Sequence, residues 1–177
     1  MRVLAMLAAF TVGGVALAAD GTFPLTGDNT KVEFTGTKKE GKHDGGFKKL
    51  TGTATVTGSD PATAKIDVTI DTTSLYSDNA NLTGHLKNAD FFDVKTHPTA
   101  KFVSTKIEKS GDKYVVHGDL TMCGKTKPIH FPATISVTGG AFKLDAEFKL
   151  DRTQFGMTYG KGKIDDQVAL KVKVSAK

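Results

Sequence analysis

The chain has no tryptophan, a single cysteine and only three tyrosines in 177 residues. One thiol, Cys123, excludes an internal disulfide and any metal site built from several cysteines, so stability has to come from an apolar core. The scarcity of Trp and Tyr removes the aromatic girdles that flank the lipid-facing band of an outer-membrane barrel. Lysines at the centres of the polar strand faces point the same way. Beyond residue 19 no stretch is long and apolar enough to cross a bilayer as a helix. There is no Gly-x-Ser-x-Gly elbow, and no Gly-x-Gly-x-x-Gly segment leads from a strand into a helix, which argues against a hydrolase nucleophile and a nucleotide cofactor. The pair Asp165-Asp166 falls in a turn with no enclosing context. A net charge of +5, from 24 basic and 19 acidic residues, is spread along the chain. It marks no nucleic-acid footprint and leaves room for transient contact with a membrane surface.

At the start of the chain, Arg2 precedes an apolar stretch from Val3 to Leu17. Ala16-Leu17-Ala18 then has the small-x-small form of a signal-peptidase site, with the cut after Ala18 or Ala19. We read residues 1–19 as a signal peptide and 20–177 as one exported, periplasmic domain. No cysteine near the cut offers a lipid anchor.

Within that domain apolar and polar residues alternate. Val32 and Phe34 share a parity, as do Ile66, Val68 and Ile70. The series Ile129, Phe131, Ala133, Ile135, Val137 and the series Phe142, Leu144, Ala146, Phe148, Leu150 keep strict alternation. Val168, Leu170, Val172 and Val174 close the chain. A period of two puts each set on one face of a strand. Reversals are expected at 27–29, 58–61, 110–112, 123–125 and, most clearly, at Gly139-Gly140. The expectation is an all-β, antiparallel meander of eight strands. One segment is helical instead: Leu82, His85, Leu86 and Ala89 recur at helical spacing, and Asp78 or Asn79 can cap the start. A short helix over about 79–88, followed by Phe91-Phe92, is expected to close one end. The dry faces are satisfied either by a sandwich or by a closed barrel, and a barrel of this size either fills itself or keeps room for a ligand.

Four blocks are more specific than the pattern. They are His85-Leu86-Lys87-Asn88-Ala89-Asp90-Phe91-Phe92-Asp93-Val94 with His97-Pro98 through Phe102; Gly118-Asp119-Leu120-Thr121 with Gly124 through Ile129; Asp151-Arg152-Thr153-Gln154-Phe155-Gly156-Met157; and Val32 through Lys38 with Gly41-Lys42-His43. Together, and in the right order along the chain, they resemble the YceI-like family across essentially the whole domain. The chain departs from the family pattern at Cys123, where a basic residue is common, and in a short loop after Met157. The resemblance implies a lipocalin-like barrel that binds a polyisoprenoid, an isoprenoid quinone or a similar long-chain lipid, with no catalytic residues and no cofactor.

On that reading the tail would meet Phe34, Ile66, Val68, Ile70, Leu82, Leu86, Phe91, Phe92, Phe102, Phe131, Phe142, Phe148, Phe155 and Met157, with Ile135 and Leu144 on the same faces. Each of these can equally be simple core. For the head group the candidates are His43, in a flexible glycine-rich loop, Lys42 beside it, and His85 on the helix. His43, His85 and His97 are too far apart for a zinc site, so no metal is expected. Arg152 is expected to pair with Asp151 or another carboxylate at the barrel end. Cys123 reads as a passive residue at a strand end, although a free thiol in an exported protein can pair between chains, and a dimer is among the expectations. The alternative function is a filled barrel that acts in envelope stress or protein interaction without a small ligand.

Overall fold

The computed structural model describes residues 20–177; the signal-peptide expectation for 1–19 lies outside the described residues. Eleven strands and one helix follow in order: β1 (Gly21–Thr26), β2 (Thr30–Lys38), β3 (Gly41–Phe47), β4 (Leu50–Val56), β5 (Lys65–Asp71), β6 (Leu75–Ser77), α1 (Ala80–Leu86), β7 (Thr99–Ser110), β8 (Lys113–Met122), β9 (Lys125–Thr138), β10 (Ala141–Asp151) and β11 (Gln167–Ala176). All belong to one antiparallel sheet in the order β1-β4-β5-β7-β8-β9-β10-β11-β2-β3-β6.

Eleven strands stand where eight were expected. The difference comes from three interruptions, at 27–29, 48–49 and 72–74, where a running arm kinks without reversing. β1 pairs β4 while β2 pairs β3, so the chain passes through Gly27–Asn29 and continues, contrary to the reversal expected there. In the same way β5 pairs β4 while β6 pairs β3. The kinks let the sheet curl until its two ends approach each other. Ser175 N–H donates to the Asn29 carbonyl at 2.8 Å, Lys48 N–H to that of Ser74 at 3.3 Å, and Asp71 N–H to that of Lys49 at 3.0 Å.

Asp side chains cap the short 3-10 turns. Asp71 Oδ1 accepts from Thr73 N–H at 2.9 Å and Thr73 Oγ1 at 2.6 Å, and Asp151 Oδ1 repeats both bonds with Thr153 at the same distances. Each relieves the orphan N–H groups of a helical turn. Helix α1 is capped by Asn79, whose Oδ1 accepts from Leu82 N–H at 3.0 Å. It ends at Leu86, two residues before the expected limit. Strand β6 is the last strand on its edge, and α1 with the Phe91–His97 segment follows directly. That segment is anchored where Thr72 N–H and Oγ1 donate to the carbonyls of Pro98 and His97, at 2.9 and 2.7 Å.

The inward face is not packed evenly. Ala54, Val116, Phe142 and Ala176 are 0 % exposed, and the rings of Phe142 and Phe23 sit 5.8 Å apart. The half built on β1, β4, the far ends of β7 and β8, and the β9–β10 turn is a solid core, with Phe142 at its boundary with the other half.

An apolar lumen and its polar rim

In the other half the wall encloses a lumen of about 330 Å³. The residues on it are the inward sets of the alternating strands, joined by Leu82 and Leu86 of α1 and by Phe91 and Phe92 beyond it. Val32, Phe34, Val68, Phe92, Met122, Ile129, Phe148 and Val172 all border it and are only half-buried. Among the described residues just two large hydrophobics, Val103 and Tyr159, count as exposed. Apolar side chains that face inward yet keep accessible surface are lining an empty volume, which close packing would have removed.

Two glycines keep the rings out of the middle. Phe34 faces Gly45 across β2 and β3, and a β-carbon there would lie 2.5 Å from Phe34 Cζ. A side chain at Gly118 of β8 would likewise collide with the Phe102 ring. Both phenyls therefore lie along the wall over a bare backbone. Phe131 and Phe148 stack face to face, 4.4 Å apart and 7° from parallel, again as a lining.

Of the expected tail residues, Phe34, Ile66, Val68, Ile70, Leu82, Leu86, Phe91, Phe92, Phe102, Phe131, Phe142, Phe148 and Met157 are brought together on the lumen. Phe155 is not. It is 1 % exposed and buried where the 152–155 turn meets β9, because the helical turn breaks the alternation that would have aimed it inward. Val32, Leu25, Met122, Leu150, Ile164 and the β11 set also border the lumen; for most of these the alternation itself was the available signal.

The polar residues bordering the lumen, apart from Thr30, gather at one end: Thr37, Lys38, His43 and Arg152. His43 sits in strand β3, not in a flexible loop; Gly41–Phe47 pair with β2 through backbone bonds that need no side chains. Period two sends Lys42 to the opposite face, where it meets Asp44 at 3.3 Å and does not reach the lumen. His43 Nδ1 lies 2.9 Å from Asp78 Oδ1. The Asp44 N–H, and after it His43, hold the Asp78 carboxyl below its ordinary value, while the Thr35 hydroxyl does the same for Asp44. With Nδ1 turned to Asp78, His43 Nε2 is free to accept a proton donor, or to donate when the ring is charged.

His85 takes no part in the lumen. It lies about 100° round the helix from Leu86, bonds Asp90 at 3.0 Å, and stands edge-on to Phe91 and Tyr159 at 5.0 and 4.8 Å. It joins α1 to the 156–166 loop.

Arg152, 5 % exposed, organises that loop. Its Nε donates to the Asp165 carbonyl at 3.1 Å, one terminal nitrogen to those of Met157 and Tyr159 at 2.6 and 2.9 Å, and the other to the Ile164 carbonyl and Asp166 Oδ1 at 3.2 and 3.4 Å. All five guanidinium donors are engaged, so this cation is structural. Its carboxylate partner is Asp166, since Asp151 is held by Thr153. Cys123, in the β8–β9 turn at φ 50°, points its thiol at the Phe91 and Phe92 carbonyls, 3.5 and 3.7 Å away. Burial, with Asp93 nearby, pushes it up to about 11.

The chain matches the YceI-like domain over residues 23–176. It therefore belongs to the YceI-like family. It is 33 % identical over 177 residues to a UPF0312 protein of Serratia proteamaculans, covering 91 % of this chain and 88 % of that one. A UPF0312 protein of Pseudomonas putida is 46 % identical over 96 residues, 54 % of this chain; the match spans half the length of that relative. Among solved structures, BcnA of Burkholderia cenocepacia superposes with a TM-score of 0.75 at 28 % identity, covering 84 % of this chain and 96 % of BcnA. A polyisoprenoid-binding domain from Saccharophagus degradans gives 0.67 over 89 % and 98 % at 12 % identity, a likeness of fold. No helix among the described residues is long and apolar enough to cross a membrane.

Proposed function

We propose that the protein is a periplasmic carrier or reservoir for a long-chain amphiphile, of the polyisoprenoid or isoprenoid-quinone kind, with its tail in the lumen and its head at the Lys38–His43 end. The observation that carries the reading is the 330 Å³ apolar lumen whose charged and imidazole groups, Lys38, His43 and Arg152, lie at one end. The volume falls at the lower end of the roughly 300–1,000 Å³ usual for ligand pockets. Each enclosed methylene contributes about 0.8 kcal/mol, so every ten of them contribute roughly 8 kcal/mol before the cost of association. A tail longer than the lumen has to pass out through the rim. A greasy tube discriminates poorly among tails, so selection falls to Lys38 and to His43, whose Nε2 suits a hydroxyl, a quinone carbonyl or a phosphate oxygen. The fold shared with the polyisoprenoid-binding domain of Saccharophagus supports this class of ligand.

Native mass spectrometry of protein purified from its host without detergent tests this. The expected result is a mass increment that solvent extraction releases as a long-chain lipid. Recovery of none, together with no uptake of a polyprenyl or quinone probe, refutes it.

A further inference from the structure

The lumen reaches the surface where two segments of the wall become one rim. Asp165 N–H donates to the Thr37 carbonyl at 2.9 Å and Thr37 Oγ1 to Asp165 Oδ2 at 2.5 Å, while Lys38 bridges to Ile164. The tip of the β2–β3 hairpin is thus fastened to the 156–166 loop, and Thr37, Lys38, His43 and Ile164 border the lumen beneath it.

This rim concentrates basic side chains at one opening, whereas the lysines of the wall are spaced along the strands. On the wall, Lys101, Lys171 and Lys173 face Asp67, Glu147 and Asp145 at 3.1, 2.7 and 3.8 Å, while Lys31, Lys65, Lys127, Lys143 and Lys149 stand apart from one another without such partners among the described residues. On the rim, Lys38, Lys39, Lys42, Lys161 and Lys163 are all exposed. Lys42 has Asp44, but among the described residues no carboxylate lies within 4.0 Å of the other four. Glu40 is the remaining acid of the hairpin tip, and Asp165 is occupied by Thr37. Tyr159, 47 % exposed, is one of the two exposed large hydrophobics among the described residues and stands on the same loop. An aromatic body with a polar tip suits the boundary between water and headgroups, and lysines are drawn to anionic headgroups within a Debye length.

We propose that this rim docks on an anionic bilayer, holding the mouth of the lumen against the surface that supplies or receives its lipid. A free polyanion or an acidic protein would satisfy the lysines, but neither calls for an exposed tyrosine beside an apolar opening. The inference rests on the lipid-holding reading of the lumen, although its test uses no lumen ligand.

Co-sedimentation with vesicles of phosphatidylglycerol and phosphatidylcholine, against phosphatidylcholine alone, is the measurement. Partitioning to the anionic vesicles is expected to be at least about tenfold stronger and to collapse at about 0.5 M salt. Replacing the five rim lysines by serine should abolish the difference, Tyr159→Ser should weaken binding about threefold, and serine at Lys101, Lys171 and Lys173 should leave it nearly unchanged. Circular dichroism checks that each variant is folded, and the salt dependence of the unmodified protein stands independently of any variant. Equal partitioning to both vesicles, binding that survives high salt, or equal loss in the rim and wall variants overturns the docking surface. None of these outcomes touches the lumen, whose occupancy is read separately by mass spectrometry.

Discussion

In the solid half of the sheet the inward positions include Ala54, Ala133 and Ala176, which are at most 2 % exposed, and the space between them is taken by Val116 and Phe23, at 0 and 6 %. In the hollow half the inward positions are Val32, Phe34, Val68, Phe148 and Val172, larger on average, yet they stay half-buried around an empty volume. The alternation is the same in both. Small residues let opposite walls approach and be bridged by a few rings. Large residues on all sides hold the walls apart, and Gly45 and Gly118 let two phenyls lie flat instead of crossing the gap. A lumen thus arises from which positions receive bulk, with no change in the strand pattern.

The sharpest way to break this contrast is to truncate one ring in each half. Phe23→Ala, in the solid half and off the lumen, should lower the unfolding free energy by about 3–5 kcal/mol in urea titrations, the range for a buried phenylalanine. Phe148→Ala, already in contact with empty space, should lose about 1–2 kcal/mol, since less contact and less cavity creation are at stake. Equal losses would mean that the hollow half packs like a core. Arg152→Ala bears on the same boundary. Removing a buried cation from five acceptors should lower stability by about 3–5 kcal/mol and, by amide hydrogen exchange, loosen 156–166 more than the β1–β4 half. Uniform loosening would deny that Arg152 acts on the rim.

A gentler probe is Cys123. With its thiol pushed from 9.0 up to about 11, little thiolate exists near pH 8. Iodoacetamide alkylation there should run about a hundredfold slower than for an ordinary thiol, rise with pH towards 11, and speed up in urea. The sign follows from burial favouring the neutral form: the stabilisation is complete below the ordinary thiol value and is lost as pH rises towards 11. Ordinary reactivity at pH 8 would mean that the β8–β9 turn is not seated on the Phe91-Phe92 carbonyls.

Much of the fold was legible because alternation and turn chemistry are local. Most of the tail positions on the lumen follow from parity alone. The helix was found by spacing and cap, and Arg152 was rightly read as structural. Other features depend on neighbours distant in sequence. Gly41–Gly46 carries no apolar alternation and reads as a loop, yet its glycines are what allow β3 to lie under Phe34 and beside Tyr76. Gly27–Asn29 has the composition of a reversal, but whether a turn reverses or merely kinks depends on which strands pair on either side of it. His85 and His43 looked alike as head-group candidates; the helix turns one towards Asp90 and Tyr159, and strand alternation turns the other inwards. Phe155 matched a family block and still points elsewhere, because a 3-10 turn follows a different period from a strand. Nor does alternation say whether rings lie along a wall or across it, which is why a filled and a hollow interior were both compatible with the sequence.

The direct test of a lumen that accepts a hydrocarbon tail is a fluorescence titration of delipidated protein with a polyprenyl probe, compared with the variant Val172→Phe. Val172 borders the lumen and is half-buried, so the added ring should occupy the empty space, leave stability within about 1 kcal/mol and weaken probe binding by at least about tenfold. Undiminished binding in a folded Val172→Phe protein would place the probe outside the lumen and contradict the account.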